Sequence, residues 1–571
     1  MKKLTRFRKK RTTLIALALA STGVFTGQKV YEYSADPVGE KNCPPLTTDA
    51  VPASTGNYVS PSTANASTST PLPVGTASRL TTIAHLAKPA ANSKPVRSLS
   101  LPWGQKGGTI NDASCLNQTP IYGIVQVTTI DDIKNALIFA RANNLKVSIA
   151  GVRHSMGGHA FYKDALVLDM TKFNTMSLDE NAKVLTVQSG ATWHDIQNVL
   201  HPKYAVKAMQ STDIFTVGGS ISVNAHGMDH QAGAISKTIR SMRIMLPDGT
   251  IQRVSRTENQ ELFNLVVGGY GLFGIVLDVE LDITDNVIYT TSRQVVDYTA
   301  FPDLFASELG TNPKLGLFYG HLSTAPQSFL QEMILYTYEE ADSPDVEIAP
   351  LTEVSNTKLR RFVINFSKQG SIPMRLKWFA EKYIEPRMES CLVNRNQAMK
   401  DGEACLVARN QPMHDSVKYL KNNLKNDTDI LQEYFIPRDQ FVSFVDGLRR
   451  IMQDNETNLL NASVRVVHQE DNVLNYAPGD MFSVVLYINQ PTTPEGNEQM
   501  AQTTGQIVDL AISVNGTFFL PYQLYYTPEQ LHQAYPNAAA FFAAKERYDP
   551  QHVFTNTFYE RFSNMSITST K

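Results

Sequence analysis

The chain has 571 residues, with 52 lysines and arginines against 54 aspartates and glutamates, and a formal net charge of −2. Hydrophobic residues make up 42% and charged residues 19%, which is typical of a globular protein with a large core. This composition excludes a wholly disordered chain, a coiled coil and a membrane protein with many spans, and the near-neutral charge predicts no nucleic-acid partner.

Residues 1–34 have the order of an export signal. Seven lysines or arginines and no acid occupy residues 1–11, and a mostly apolar run follows from Thr12 to about Gly27. This order predicts a signal peptide, and the run is shorter than the ~20 residues of a typical spanning helix. An uncleaved signal anchor and a cytosolic basic tail are the alternatives. We expect an exported protein, periplasmic or extracellular, that contacts a membrane only through this segment.

Residues 35–98 are rich in serine, threonine, proline and alanine. Such a segment buries too little apolar surface to offset its ordering entropy, so it predicts a disordered linker. Export would permit disulfides, and Cys391 and Cys405, in a short repeat, are one candidate pair. Cys43 and Cys115 are a second pair, and buried free thiols are the alternative.

Strand and helix signals then alternate along the chain. Residues 124–127 predict a strand, Thr129 caps a helix that ends at Asn143, and residues 145–149 predict the next strand. That strand runs into the glycine-rich loop 150–158. Its glycines permit close approach of a ligand, and successive N–H groups in such turns suit a pyrophosphate. A tight turn between two strands is the alternative for this loop by itself.

A second segment of small residues, 210–227, ends in His-Gly. Strands predicted at 166–169 and 184–190 and a helix that begins near Thr192 separate it from the first loop. Two such segments predict a long ligand that contains a diphosphate.

The segment 269–274 matches G-x-G-x-x-G, the dinucleotide fingerprint. That fingerprint must follow a strand and open a helix, so that the helix N-terminus meets the phosphates. Here a predicted helix at 258–267 precedes it and a predicted strand at 275–283 follows it. The inverted order excludes a Rossmann motif.

Together these segments resemble the FAD domain of the vanillyl-alcohol-oxidase superfamily, the PCMH-type flavoproteins. The matching segments are 150–158, 187–193, 216–227, 247–250 and 268–276. Three C-terminal segments, 432–437, 463–467 and 548–558, are similar to the aldonolactone-oxidase and alditol-oxidase branch. The resemblance implies an α+β fold. It places a two-part FAD-binding domain at 117–285, a cap domain with an antiparallel sheet and flanking helices at 286–540, and a segment returning to the flavin side at 541–571.

The resemblance also implies FAD as the cofactor and no metal ligand. The FAD-binding residues that it implies are Gly151, Val152, Arg153, His154, Ser155, Ser211, Thr216, Gly219, Val223, Asn224, Ala225, His226, Ile275 and Asn556. His154 occupies the position that bonds covalently to the flavin in many members, and a backbone-bonded turn histidine beside non-covalent FAD is the alternative. We expect the neighbouring His159 to be structural.

The activity that the resemblance implies is oxidation of an alcohol, which could be a sugar lactone, a polyol or a larger alcohol. A hydride passes to the flavin, and O₂ or a quinone-like acceptor reoxidises it. Arg465 is the implied catalytic cation near the substrate oxygen. Tyr522 and Gln523 could bond the substrate, with an apolar packed strand as the alternative. Glu433 and Tyr434 are further candidates.

Two departures from the branch leave the substrate open. Ser463 stands where the branch carries a glutamate, and residues 519–524 replace its His-Trp-Gly-Lys, so an acid/base pair is missing or displaced. A flavin-dependent C=C reductase and a non-catalytic relative remain alternatives. A His-ligated metal hydrolase is a third, and its possible ligand pairs are His154/His159, His194/His201 and His226/His230.

Overall fold

The computed structural model describes residues 31, 33–34, 100–342, 347–354, 356–384, 406–420 and 426–563. The predicted linker, most of the predicted leader and Cys43, Cys391 and Cys405 lie outside these residues. Cys115 is disulfide-bonded, and both predicted pairings stay predictions. Within the described ranges no helix combines the length and the apolar character needed to cross a membrane.

The end of the predicted leader contacts folded structure. The amide of Asn365 donates to the carbonyl oxygen of Tyr33 at 3.0 Å, and Arg361 donates to that of Ser34 at 3.3 Å. The Tyr33 ring is 6% exposed. These two residues therefore lie against the helix that carries Arg361 and Asn365.

Between residues 100 and 285 the structure consists mainly of short strands and four α-helices. The strands are β1 (Trp103–Lys106), β2 (Thr109–Ile110), β3 (Thr119–Pro120), β4 (Gly123–Gln126), β5 (Val147–Ala150), β6 (Leu166–Asp169), β7 (Met176–Asp179), β8 (Val184–Gln188), β9 (Tyr204–Val206), β10 (Ile239–Met245), β11 (Ile251–Ser255) and β12 (Ile275–Asp285). The helices are α1 (Ile130–Ala142), α2 (Trp193–Leu200), α3 (Val217–Val223) and α4 (Gln260–Val266).

These strands form three sheets. The first has four strands in the order β1-β4-β6-β5, with β4 and β5 both parallel to β6. The second has six strands in the order β11-β10-β12-β8-β7, with β9 paired to the end of β12. The pair β2 and β3 forms the third.

Local sequence signals explain these elements. Thr129 and Thr192 each accept a hydrogen bond from the backbone N–H three residues on, and the aspartate there bonds back, so both helices begin in a capping box. Asn143 ends α1, as predicted. The 269–274 segment lies between α4 and β12, which confirms the inverted order.

The C-terminal segment extends the first sheet. The N–H of Val147 donates to the carbonyl of Val553 at 2.7 Å, and the N–H of Thr555 donates to the carbonyl of Val147 at 3.0 Å. Phe554 is fully buried in the core beneath α1. The segment therefore lies beside β5, the strand that leads into the loop 151–158.

Longer strands and eight helices follow residue 285 in the described ranges. The strands are β13 (Ile288–Asp297), β14 (Leu315–Leu322), β15 (Glu332–Glu340), β16 (Leu406–Ala408), β17 (Asp427–Pro437), β18 (Asn458–Val467), β19 (Met481–Pro491) and β20 (Thr517–Phe518). The helices are α5 (Phe301–Leu304), α6 (Thr357–Ser367), α7 (Ser371–Phe379), α8 (Phe441–Asp454), α9 (Pro494–Ser513), α10 (Pro528–Ala534), α11 (Ala538–Tyr548) and α12 (Thr557–Ser563).

The strands after residue 285 form one antiparallel sheet of eight strands, in the order β16-β13-β15-β14-β18-β19-β17-β20. Helices α8 and α9 contact β17 on one face, where the ring of Tyr434 lies 5.9 Å from that of Phe444. Because side chains alternate along a strand, Glu433 points to the opposite face. A small mixed sheet, separate antiparallel sheets and flanking helices make this an α+β fold, as predicted.

Candidate functional site

A cavity of about 1440 Å³ is lined by residues of both halves of the chain. Ligand pockets usually measure about 300–1000 Å³, so this cavity has room for a long cofactor and a substrate together. The sequence-predicted residues that line it are Gly151, Val152, Arg153, His154, Ser155, Ser211, Thr216, Gly219, Val223, Ala225, His226, Glu433, Arg465 and Tyr522. Asn224, Ile275, Gln523 and Asn556 do not line it.

Hydrogen bonds from the segment 112–117 fix the loop 151–158. The N–H of Gly158 donates to Asp112 Oδ2 at 3.1 Å, and the Asn117 amide donates to the carbonyl of Met156 at 2.8 Å. Burial raises the pKa of Asp112 to about 6, although the N–H and hydroxyl donors around it oppose that rise. Arg153 has a φ of 58°, an uncommon conformation for a residue with a Cβ. The loop therefore has one fixed path along the cavity wall.

A close approach joins this loop to the second predicted segment. A Cβ on Gly151 would lie 2.2 Å from the hydroxyl oxygen of Thr216, the residue that caps α3. The hydroxyls of Ser189, Ser211 and Thr212 line the cavity and are buried, and no described residue bonds them. Buried polar atoms are normally hydrogen-bonded, so these three are suited to bonding a polar ligand. The absence of a side chain at Gly151 and these three hydroxyls fit the phosphate chain of FAD.

Two of the predicted residues outside the cavity hold the fold together. The Asn224 amide donates to Glu470 at 3.0 Å, and its oxygen accepts from a backbone N–H. The Asn556 amide donates to the carbonyl of Tyr270 at 2.8 Å. Both asparagines are thus used within the protein.

The other two miss the cavity for reasons of local geometry. Ile275 begins β12 and is fully buried in the core under α1, whereas its neighbours Gly274 and Val276 line the cavity. Alternation along the strand decides which side chain faces the ligand. Gln523 is 6% exposed and follows Tyr522 in an irregular segment rather than in a strand.

An acidic and a basic side chain meet at the sheet end of the cavity. His226 Nε2 lies 2.6 Å from Glu433 Oε1, and both side chains are almost fully buried. Ser483 also donates to Oε1. Burial raises the pKa of Glu433, but His226, Arg465 and Ser483 together outweigh it, so the pKa lies below its ordinary value. The carboxyl is therefore ionised at neutral pH.

Arg465 and Tyr522 flank this carboxylate. Arg465 lies on β18, and its buried Nε has no hydrogen-bond partner among the described residues. The Tyr522 hydroxyl lies 3.5 Å from Glu433 Oε2. Burial and then Glu433 raise the pKa of Tyr522 well above its ordinary value, so its hydroxyl stays protonated.

The sheet register explains how these side chains reach one place. Glu433, Val485, Ser463 and His321 stand side by side on β17, β19, β18 and β14, and all four line the cavity. Arg465 is two residues from Ser463 and shares its face. The carboxylate that the branch carries at position 463 is thus supplied here from two strands away. Sequence reasoning gave Glu433 little weight, although a glutamate inside the apolar run of β17 was an available signal.

His154 lies on the loop 151–158 and lines the cavity. Its ring is half-buried and stands edge-on to Phe215, with centroids 5.3 Å apart. The neighbouring His159 is buried and stacks on Phe558 at 5.6 Å. Burial lowers the pKa of His159 to about 3, so this ring is neutral and packs as part of the core.

The histidine pairs proposed for a metal hydrolase do not come together as ligand sets. His226 bonds to Glu433, while His230 and His201 each bond to a backbone carbonyl. In the described part of the chain, the group of three possible ligands within reach of one ion is His194, Asp213 and His414.

Comparison with known proteins gives a family match within the part of the chain that precedes residue 285. A family model described as an FAD binding domain matches residues 121–255. L-gulonolactone oxidase of Mus musculus is 28% identical over 184 residues, which are 30% of this chain and 41% of that protein.

Two further relatives have similar coverage. Decaprenylphosphoryl-beta-D-ribose oxidase of Mycolicibacterium smegmatis is 28% identical over 186 residues, 32% of this chain and 38% of that protein. An uncharacterized oxidoreductase of the fasciation locus of Rhodococcoides fascians is 29% identical over 174 residues, 30% of this chain and 39% of that protein. The matches thus span about two fifths of each of these relatives.

Proposed function

Since the chain carries an FAD-binding domain of the PCMH-type oxidase superfamily and has an aldonolactone oxidase among its relatives, we propose that it is an FAD-dependent oxidoreductase that oxidises an alcohol. The family predicted from the sequence is confirmed by these matches. One observation carries the proposed reaction. Glu433, His226, Arg465 and Tyr522 face the cavity that the FAD loops also line.

The residues present fit FAD. The loop from Gly151 to Ser155 and the hydroxyls of Ser189, Ser211 and Thr212 would hold its phosphate chain. His154 would bond it covalently, since a neutral imidazole is a competent nucleophile. When bound, FAD supplies an acceptor for two electrons from a carbon that carries a hydroxyl.

Glu433 would accept the proton of the substrate hydroxyl. Its Oε1 already accepts bonds from His226 and Ser483, whereas among the described residues Oε2 has a single hydrogen-bond contact, with Tyr522 at 3.5 Å. Oε2 therefore has the free acceptor capacity. Because the pKa of Glu433 is lowered, the oxygen is unprotonated at neutral pH and ready to act as a base.

Arg465 would bind the same substrate oxygen. A guanidinium with an unused, buried N–H favours the alkoxide-like charge that develops as the proton leaves. Tyr522 would fix the orientation of the hydroxyl from the other side of Glu433.

The substrate would be a sugar-like or larger alcohol. The cavity continues along the sheet face past Tyr319 and Tyr336, whose rings stack with centroids 4.5 Å apart. The printed names of two relatives refer to a sugar lactone and to a lipid-linked ribose. We propose O₂ or a quinone-like compound as the final electron acceptor, and an exported location.

The test starts from the full chain purified under native conditions. We expect a flavin spectrum, yellow colour that precipitates with the protein in acid, and bleaching when a panel of sugar lactones, polyols and longer alcohols is added without oxygen. His154→Ala should release the colour into the acid supernatant. A flavin that NADPH bleaches and no alcohol bleaches would replace the proposal by the C=C reductase. A colourless protein that does not take up FAD would refute it.

A further inference from the structure

Two histidines and an aspartate that the proposed reaction does not use converge beside the cavity, and His414 of this cluster also lines it. His194 lies on α2, Asp213 lies just before Phe215, and His414 follows β16. Asp213 Oδ2 is 2.8 Å from His194 Nδ1 and 3.2 Å from His414 Nδ1. The two imidazoles stack, with centroids 4.6 Å apart and planes 19° from parallel.

This arrangement is more than an ordinary ion pair. The side chains of Asp213 and His414 are 1% and 2% exposed, so solvent does not satisfy them. Asp213 Oδ1 is buried and has no hydrogen-bond partner among the described residues. The two stacked rings both direct their Nδ1 atoms at the same oxygen of Asp213, as ligands of one ion would.

A fourth donor atom completes the set. Gln197, one turn after His194 on α2, places its Oε1 3.0 Å from His414 Nδ1. Ligand atoms around a tetrahedral zinc ion, at Zn–N and Zn–O distances of about 2.0–2.2 Å, are separated by roughly 3.3 Å. The candidate ligand atoms of His194, Asp213 and His414 all lie within 4.8 Å of one another.

We propose that His194, Asp213 and His414 bind a divalent transition-metal ion of the Zn²⁺ class, with Gln197 Oε1 as the fourth ligand. Two imidazoles with a carboxylate favour Zn²⁺ over Ca²⁺ and Mg²⁺, which take oxygen ligands. The ion joins α2 and the segment before Phe215 to the segment after β16. It therefore clamps the two halves of the chain together and holds Ser211 and Thr212 in place at the cavity.

The test uses the full chain from which metal ions have been removed with a chelator. Its readouts do not depend on whether flavin is bound. We expect calorimetric titration with Zn²⁺ to give one equivalent of saturable binding and a raised unfolding temperature, and Co²⁺ at the same site to give visible d–d bands. His194→Gln and Asp213→Asn should each weaken the Zn²⁺ affinity by about tenfold or more. His468→Gln is a matched control, since His468 is 34% exposed against 30% for His194 and also faces one aspartate. It should bind Zn²⁺ as the unaltered chain does.

Several results would overturn the site. Absence of saturable binding is one, and an unchanged affinity in both ligand variants is another. Glu353 Oε1 lies 3.5 Å and 3.4 Å from the Nε2 atoms of the two histidines, so Glu353→Gln locates the ion. Zn²⁺ binding retained in Glu353→Gln supports the ligands named, and binding lost there but kept in Asp213→Asn refutes them. Far-UV circular dichroism of each variant shows that a lost affinity does not come from unfolding.

Discussion

The imidazole of His226 and the carboxylate of Glu433 lie 2.6 Å apart although 207 residues separate them in the chain. The histidine follows α3 at the FAD loops, and the glutamate lies on β17 of the eight-stranded sheet. The pair thus joins the predicted cofactor site to the predicted substrate site. In the reaction that we propose, this pair would supply the acid/base function that Ser463 and the segment 519–524 lack.

Glu433→Gln keeps the shape of the side chain and removes its charge. We expect kcat to fall by about 10²–10⁴-fold, the usual contribution of a positioned general base. Glu470→Gln is the matched control, because Glu470 is equally buried and bonds Asn224 and Ser236 away from the cavity. The control should lower the unfolding temperature and leave kcat close to that of the unaltered chain. Equal kcat losses in both variants would contradict the role of Glu433.

The pH dependence of the reaction follows from the same carboxyl. Its pKa lies below the ordinary 4.5, because His226, Arg465 and Ser483 favour the charged form more than burial disfavours it. The base is therefore lost only as the pH falls below 4.5, and the acidic limb of the kcat profile should lie there. We expect Ser483→Ala to move that limb to higher pH, since one donor to the carboxylate is removed. An acidic limb that stays in place would show that another group titrates.

Arg465→Met removes the cation next to the substrate oxygen. We expect kcat/KM to fall by about 10²–10³-fold, as for other donors to a developing oxyanion. Arg465→Lys keeps the charge but loses the buried Nε donor, so it should restore part of kcat. Stopped-flow bleaching of the flavin separates substrate binding from the chemical step. A loss seen in KM alone would assign Arg465 to binding instead.

Gly151→Ala tests the close approach of the two FAD loops. The new Cβ would meet Thr216 Oγ1 at 2.2 Å, and such overpacking costs about 1–3 kcal/mol. We expect a lower unfolding temperature and a weaker FAD affinity. Thr216→Ala removes the clashing oxygen, so the double variant should be more stable than the sum of the two single effects. Additive losses would show that the contact is unimportant.

Because His159 is buried, we expect the free energy of unfolding to depend on pH in the acidic range. Its pKa is about 3 in the folded protein against an ordinary 6.5, because burial disfavours the charged ring. Between these two values the unfolded chain binds more protons than the folded one, so the free energy of unfolding must fall as the pH falls from 6.5. His159→Phe should flatten this slope by up to one proton in chemical-denaturation series across that range. A slope that stays the same in His159→Phe would contradict this prediction.

The elements around the FAD loops could be predicted because their signals are local. The capping boxes at Thr129 and Thr192 and the glycines from 151 to 158 act within a few residues of themselves. The inverted order around 269–274 is likewise a matter of neighbouring segments. Eleven of the fourteen predicted FAD-binding residues line the cavity for this reason.

The prediction of individual site residues was limited because neighbouring side chains of one segment point in different directions. Ile275 turns into the core while its neighbours Gly274 and Val276 face the cavity, and Asn224 bonds Glu470 instead of a ligand. A sequence motif indicates which segment of the chain approaches the ligand. Which side chain of the segment points inward depends on the twist and packing of the strand that carries it.

The sequence by itself determined the α+β class, the FAD loops and the family, since short-range hydrogen bonds and glycine conformations encode them. Only the tertiary structure decided that Glu433 meets His226 and that His194 stacks on His414. Those contacts depend on the register of antiparallel strands and on how the two halves of the chain pack. No local pattern records that register, because it is fixed by long-range burial of both sheet faces at once.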